Sequence, residues 1–184
     1  MKPKPILLNT NMVQALLDGR KTQTRRVIKS QYAEKSDGTK IPLDEFAKEF
    51  DLKYFAPYQP GDILYVRETF LPYKDTFYYK ADGNHFALER LGISFKWKPS
   101  IHMPYAAARI FLRVTDVRAE RLQDIMNHPT GKNHPVVLEG HVYGADFIAE
   151  WQNGMRRKDW PLYGWKANPW VWVYEFERCE KPQG

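Results

Sequence analysis

The chain has 184 residues, 43% of them apolar, which suits one folded domain and is too apolar for a disordered chain. A mean hydropathy of −0.61 without a long apolar run excludes a membrane-spanning helix. The opening MKPKPILL lacks the apolar stretch of a signal peptide, and one cysteine, Cys179, excludes an internal disulfide, so the expectation is a cytoplasmic protein. Lys and Arg number 28 against 22 Asp and Glu, and the net +6 suits a polyanionic partner without requiring one.

In chain order, Ile6 to Leu8 read as a short strand, and Thr10 or Asn11 is placed to cap a helix. Met12, Val13, Leu16 and Leu17 make one apolar stripe on that helix, and Gly19 sits where its end needs positive φ. From Thr22 to Ile28 the pattern becomes strand-like, with Thr22, Thr24 and Arg26 alternating against Gln23, Arg25 and Val27. Arg20 and Lys21 then lie at the turn between helix and strand.

Ser36-Asp37-Gly38 predicts a turn within the polar stretch 30–58, and Leu43 to Phe50 a short helix. Pro60-Gly61-Asp62 turns into a strand from Ile63 to Glu68, and Phe77 to Lys80 form another, closed by Asp82-Gly83. Residues 84–105 read as an irregular insertion holding Trp97. Arg109 to Val117 is a strong strand, Glu120 to Met126 reads as helix, 127–135 as loop, and Phe147 to Trp151 as helix. From Trp170 to Phe176 both faces are apolar, as in a strand buried on both sides of a closed barrel packed by helices. The expectation is one α+β domain, a small mixed barrel of about six strands, with insertions near 30–58 and 70–105.

The histidines His85, His102, His128, His134 and His141 include no i, i+4 pair, and one cysteine makes no thiolate site, so no metal is expected. Neither GxxxxGK[ST] nor GxGxxG occurs, which disfavours P-loop and Rossmann chemistry, and no cofactor is expected. The run Gly19-Arg20-Lys21-Thr22-Gln23-Thr24-Arg25-Arg26 is different. A lysine partly desolvated at a turn, with Arg20 and Arg25 beside it, has its pKa pulled down and can take a proton from a hydroxyl such as that of Thr24. The bland alternative is a solvated basic turn. Proton-carrying carboxylates have two candidates, Glu68 and Glu139. Glu68 has the alternative of an arginine ion pair, and Glu139 that of an ordinary helix-end acid.

Gly19-Arg20-Lys21-Thr22-x-Thr24-x-Arg26 resembles the signature of the ASCH domain, a small barrel of the PUA-like superfamily. Pro60-Gly61-Asp62 through Arg67-Glu68 is similar to its second block, and Ile110 to Val117 with Leu122 and Glu139-Gly140 to its third. Asn168-Pro169-Trp170 through Glu177 resembles the closing strand of larger, phage- and prophage-type members. The resemblance implies binding of RNA or a modified base beside the barrel. In one branch it implies hydrolysis of N4-acetylcytidine by a Lys, a Thr and a Glu, which map onto Lys21, Thr24 and Glu139.

The expectation is therefore a metal-free amidohydrolase removing the N4-acyl group from acylated cytidine or deoxycytidine. Lys21 is the base, Thr24 the nucleophile or water-orienting hydroxyl, and Glu139 the proton donor to the leaving amine. Arg20, Thr22, Arg26, Glu68, Tyr65 and Trp97 are assigned to substrate binding, with Arg26 polarising the acyl oxygen and an aromatic from Tyr65, Phe70, Trp97 or Tyr105 stacking on the base. The alternatives are an RNA- or DNA-binding module using Arg20, Lys21, Arg25, Arg26 and Arg156-Arg157-Lys158, and a metal-independent ribonuclease. Partners are a modified nucleoside or nucleotide, or RNA or DNA. No membrane is expected, and the chain is expected to be a monomer or weak dimer.

Overall fold

A computed structural model describes residues 2–83, 89, 90, 92, 94–129 and 131–183. The first helix and strand form as their local sequence dictates. Strand β1 (Lys4–Leu7) leads into helix α1 (Thr10–Leu17), whose cap is Asn9, one residue before the expected Thr10 or Asn11. The Asn9 side chain accepts the Met12 N–H at 2.9 Å. Val13, Ala15 and Leu16 are the buried face of α1. Gly19, at φ +73°, ends it, and the Arg20 and Lys21 amides both return to the Ala15 carbonyl, at 2.9 and 3.0 Å. That return folds Lys21 back against the helix before β2 (Gln23–Val27) begins.

The remaining strands are β3 (Tyr32–Glu34), β4 (Lys40–Pro42), β5 (Ile63–Arg67), β6 (Phe70–Tyr73), β7 (Thr76–Tyr79), β8 (Phe111–Arg121) and β9 (Trp170–Cys179). With β1 and β2, three of them make the main sheet in the order β1-β5-β8-β9-β2, with only β1 and β5 parallel. The hairpins β3–β4 and β6–β7 belong to the two insertions. The α+β class is as expected, but among the described residues the sheet is not closed into a barrel by a strand ladder. Its edges β1 and β2 meet instead through a side chain, the Arg26 Nη2 donating to the Leu7 carbonyl at 2.7 Å.

The double burial expected of the last strand is present. Trp172, Tyr174 and Phe176 face a core shared with Val13 and Leu16 of α1, while Val171 and Val173 face a second core with Leu122, Ile125, Val136 and Phe147. The expected helix Glu120 to Met126 is replaced by two elements. Strand β8 runs on to Arg121, pairing Glu120 with Val171 and Arg121 with Trp170, and only Leu122–Met126 coil as a 3₁₀ turn. Cross-strand pairing overrides the local helical pattern there.

Three further helices follow α1 around the site and the insertions: α2 (Leu43–Phe46), α3 (Pro135–Leu138) and α4 (Gly144–Asn153). Of the expected irregular insertion, residues 89, 90, 92 and 94–105 are described, and Lys98 bridges to Phe70. His85 lies outside the described residues. No helix among those described is long and apolar enough to cross a membrane.

Candidate active site

Lys21, Thr24, Arg25 and Glu139 are all buried, at 2, 0, 2 and 2% exposure, so the basic run is not a solvated turn. Gly19, Arg20 and Thr22 of that stretch are exposed, and Arg26 is half-buried. The Lys21 ammonium donates to the Glu139 Oε2 at 2.7 Å and to the Glu139 backbone carbonyl at 2.9 Å. Arg25 takes the other carboxylate oxygen, Nη1 to Oε1 at 3.0 Å, and its Nε reaches Glu120 at 2.9 Å. Burial pulls the Lys21 pKa below the usual lysine value, against the upward pull of Glu139.

The segment carrying Glu139 is held by the residues that precede β2. The Thr22 amide donates to the Leu138 carbonyl at 2.9 Å, and Arg20 Nη1 donates to the Gly140 carbonyl at 2.9 Å. Arg20 and Thr22, expected on substrate, therefore position the loop. Gly140 explains why that loop lies so close: its φ is +96°, and a Cβ there would stand 2.7 Å from the Ala15 Cβ and 3.5 Å from the Lys21 Cβ. Glu139 is the residue capping the C-terminus of α3, so the helix-end reading of this acid and the proton-carrier reading describe one position.

A cavity of about 220 Å³ opens beside this pair, lined in part by Thr24, Arg26, Glu139, His141, Phe147 and Trp151. A second lobe of about 630 Å³ continues from it, sharing Met12, Glu139, His141 and Glu150 and adding Arg20. The Thr24 hydroxyl has no protein hydrogen-bond partner although it is fully buried. An orphaned buried hydroxyl costs about 1–3 kcal/mol unless something in the cavity satisfies it. Lys21 does not satisfy it, because the bonds of its ammonium go to Glu139.

The cavity also runs along an open strand edge. Phe176 donates to Thr22 and Ile28 to Trp170, so even-numbered residues of β2 face β9. The N–H groups of Arg25 and Val27 consequently point away from the sheet, and both residues line the cavity. Donors of this kind can polarise a carbonyl.

His141, Phe147, Glu150 and Trp151 line the cavity and were not singled out from the sequence as site residues. His141 sits edge-on to Phe147 at 5.7 Å, and its Nε2 lies 3.5 Å from Glu150. Burial lowers its pKa, with Glu150 pulling upward and Lys21 pushing down. Phe147 and Trp151, one turn apart on α4 with ring centroids 6.1 Å apart, form the aromatic wall. The i, i+4 spacing of those two aromatics, and a histidine two residues after Glu139, were the signals available.

Three expected substrate-binding residues lie elsewhere, beyond β9 and β8 from β2 or in the second insertion. Glu68 is locked by Arg109, Nε to Oε1 at 2.9 Å and Nη2 to Oε2 at 3.1 Å. Tyr65 packs edge-on against Tyr105 at 5.0 Å, within a core that includes Phe70 and Met103. Trp97 packs against Phe95 at 5.5 Å. Among the described residues no three His, Cys, Asp or Glu side chains gather as a metal site would require. Comparison with known protein families, with curated proteins and with solved structures found no match.

Proposed function

We propose that the chain is an amidohydrolase of the ASCH, PUA-like kind that removes the N4-acyl group from an acylated cytidine or deoxycytidine. The observation that carries this reading is the meeting of Lys21 and Glu139, 118 positions apart, at 2.7 Å beside a cavity into which Thr24 brings an unpartnered hydroxyl. A base, an acid and a hydroxyl at one apolar-walled pocket are what acyl transfer requires.

Burial lowers the Lys21 pKa and makes its neutral amine accessible as a base, and the hydrogen bond to Glu139 gives a proton a path between the two side chains. The amine takes the proton of the Thr24 hydroxyl, or of a water bound to it, as the oxygen attacks the acyl carbon. The C–N4 bond then breaks, and Glu139 gives its proton to the departing cytidine amine. Water completes the hydrolysis, so the products are a carboxylic acid and cytidine. The outward N–H groups of Arg25 and Val27 take the charge that develops on the acyl oxygen. Phe147 and Trp151 give the pyrimidine a surface to stack on, worth roughly 1–3 kcal/mol per base.

Chromatography of purified protein with N4-acetylcytidine tests the reading. Wild type is expected to release cytidine, and Lys21→Ala and Thr24→Ala are each expected to abolish release while keeping the folded spectrum. Near wild-type turnover in both variants would sink the mechanism.

A further inference from the structure

We propose that a second cavity, on the far side of Arg26, is a phosphate subsite, so that the molecule turned over is a cytidine nucleotide rather than the bare nucleoside. The inference rests on the amidohydrolase reading for the identity of the base, but its own observations are separate. The cavity, about 560 Å³, is lined in part by Arg26, Lys29, Arg67, Tyr58, Trp172 and Tyr174 and includes no acidic residue.

The partners of its cations set it apart. Lys21, Arg25, Arg109 and Arg118 each pair with a carboxylate. Arg26, Lys29 and Arg67 make no ion pair among the described residues. Arg26 donates only to the neutral carbonyls of Leu7, at 2.7 Å, and Arg25, at 3.2 Å. Arg67 donates to the Ile101 carbonyl, and its Nε is buried with no partner. Carbonyl partners satisfy donors without cancelling charge, so three cations without a directly bonded carboxylate line one hollow, although Glu139 and Glu150 act on Arg26 from a distance. A buried guanidinium N–H without a partner is costly, and a phosphate oxygen is the acceptor that satisfies it best.

Position makes this a subsite of the same ligand. Arg26 and Val27 line both this cavity and the one beside Glu139, so the two hollows lie on opposite sides of one residue. A pyrimidine against Phe147 and Trp151 then places its sugar at the β1–β2 gap and its phosphate among Arg26, Lys29 and Arg67. Tyr58, whose hydroxyl donates to the Pro5 carbonyl at 2.6 Å, and Trp172 supply walls for the pentose. The phosphate can belong to a free mononucleotide or to a strand.

Calorimetric titration with cytidine, cytidine 5′-monophosphate, inorganic phosphate and a short oligocytidylate tests the subsite without requiring turnover. Lys29→Ala is the informative variant, because Lys29 is exposed and outside the Glu139 cavity. Wild type is expected to bind the monophosphate about tenfold more tightly than cytidine, with Lys29→Ala losing most of that advantage and binding cytidine unchanged. An oligocytidylate tighter than the monophosphate assigns the phosphate to a strand, and equal affinity assigns it to a free nucleotide. Equal binding of cytidine and its monophosphate by wild type overturns the subsite and leaves the amidohydrolase reading standing. Lys29-dependent phosphate binding with no affinity for cytidine keeps the subsite and removes cytidine as the base.

Discussion

Two buried glutamates gripped by arginine, Glu139 and Glu68, look alike in isolation and differ in their surroundings. Glu68 is 1% exposed, both of its oxygens are bound by Arg109, and Arg109 is itself held by Asp82 and lies 3.9 Å over the Tyr79 ring. Every charge there has its counterpart. Glu139 is as deeply buried but shares its oxygens between Lys21 and Arg25, beside an orphaned hydroxyl and an open cavity. A buried ion pair is therefore weak ground for assigning function. The distinguishing feature is a group left unsatisfied at a hollow, and of these two glutamate clusters that of Glu139 has one, the Thr24 hydroxyl.

Glutamine at each position breaks the comparison most sharply. Glu139→Gln removes the proposed proton carrier but keeps an oxygen for Lys21 or Arg25, and the backbone carbonyl at residue 139 still accepts from Lys21. Hydrolysis of N4-acetylcytidine is expected to fall by about 10²- to 10⁴-fold, the usual worth of positioned acid–base catalysis, with a modest change in melting temperature. Glu68→Gln is expected to do the reverse. It leaves Arg109 with Asp82 as its only carboxylate, costing roughly 3 kcal/mol of stability, the low end for breaking a buried pair, while turnover per folded molecule is unchanged. Thermal melts and initial rates on both variants decide the matter, and loss of turnover in Glu68→Gln without loss of stability would return Glu68 to the site.

Much of this arrangement was legible in the sequence where short-range rules govern. The stripe of α1, the positive φ at Gly19 and the two-faced burial of β9 all follow from spacing within a few residues. Lys21 and Glu139, singled out by residue type and by resemblance, meet at 2.7 Å, and Thr24 is buried beside them with no partner for its hydroxyl. The misreadings share one cause, contacts made across long separations. Glu120 and Arg121 carry a helical local pattern, yet pairing with Val171 and Trp170 makes them strand. Nothing near Glu68 in sequence names Arg109, 41 residues on, and nothing near His141 foretells a cavity built from β2 and α4. The aromatics expected to stack on a base instead pack with one another: Tyr65 lies edge-on to Tyr105 and packs against the cluster that holds Phe70.

The Glu139 side of the comparison is sharpened by Gly140→Ala. The added methyl meets the Ala15 Cβ at 2.7 Å in a backbone conformation with φ +96°, so the loop must move. A destabilisation of about 2 kcal/mol is expected from overpacking together with the left-handed backbone. Moving the loop also moves Glu139 relative to Lys21 and Thr24, and misplacement of about 1 Å can cost on the order of 100-fold in rate. The expected signature is a fall in kcat larger than any change in KM. A variant that is destabilised but catalytically intact would show that the close approach serves folding alone.

The smallest effect concerns His141, which separates a cavity-facing cluster from a sealed one through pH. The imidazole faces Glu150 and Asp146 from α4, Glu139 from the loop after α3, and Lys21 from the turn before β2. Burial and Lys21 outweigh the carboxylates, and the folded-state pKa lies below the ordinary 6.5. Between 6.5 and that lower value the unfolded chain binds the proton and the folded chain does not, so acidification through this window favours unfolding. His141→Asn removes this titration. Its melting temperature is expected to fall less than that of wild type between about pH 7 and about pH 5.5, although both lose stability from other groups. The rate profile reads a second property, since a neutral His141 at the mouth of the cavity is available to relay a proton and its charged form is not. The acid limb of kcat/KM is expected to shift in His141→Asn. Identical pH dependence of both melting and rate would place His141 outside the working site and leave Lys21, Thr24 and Glu139 as its whole proton machinery.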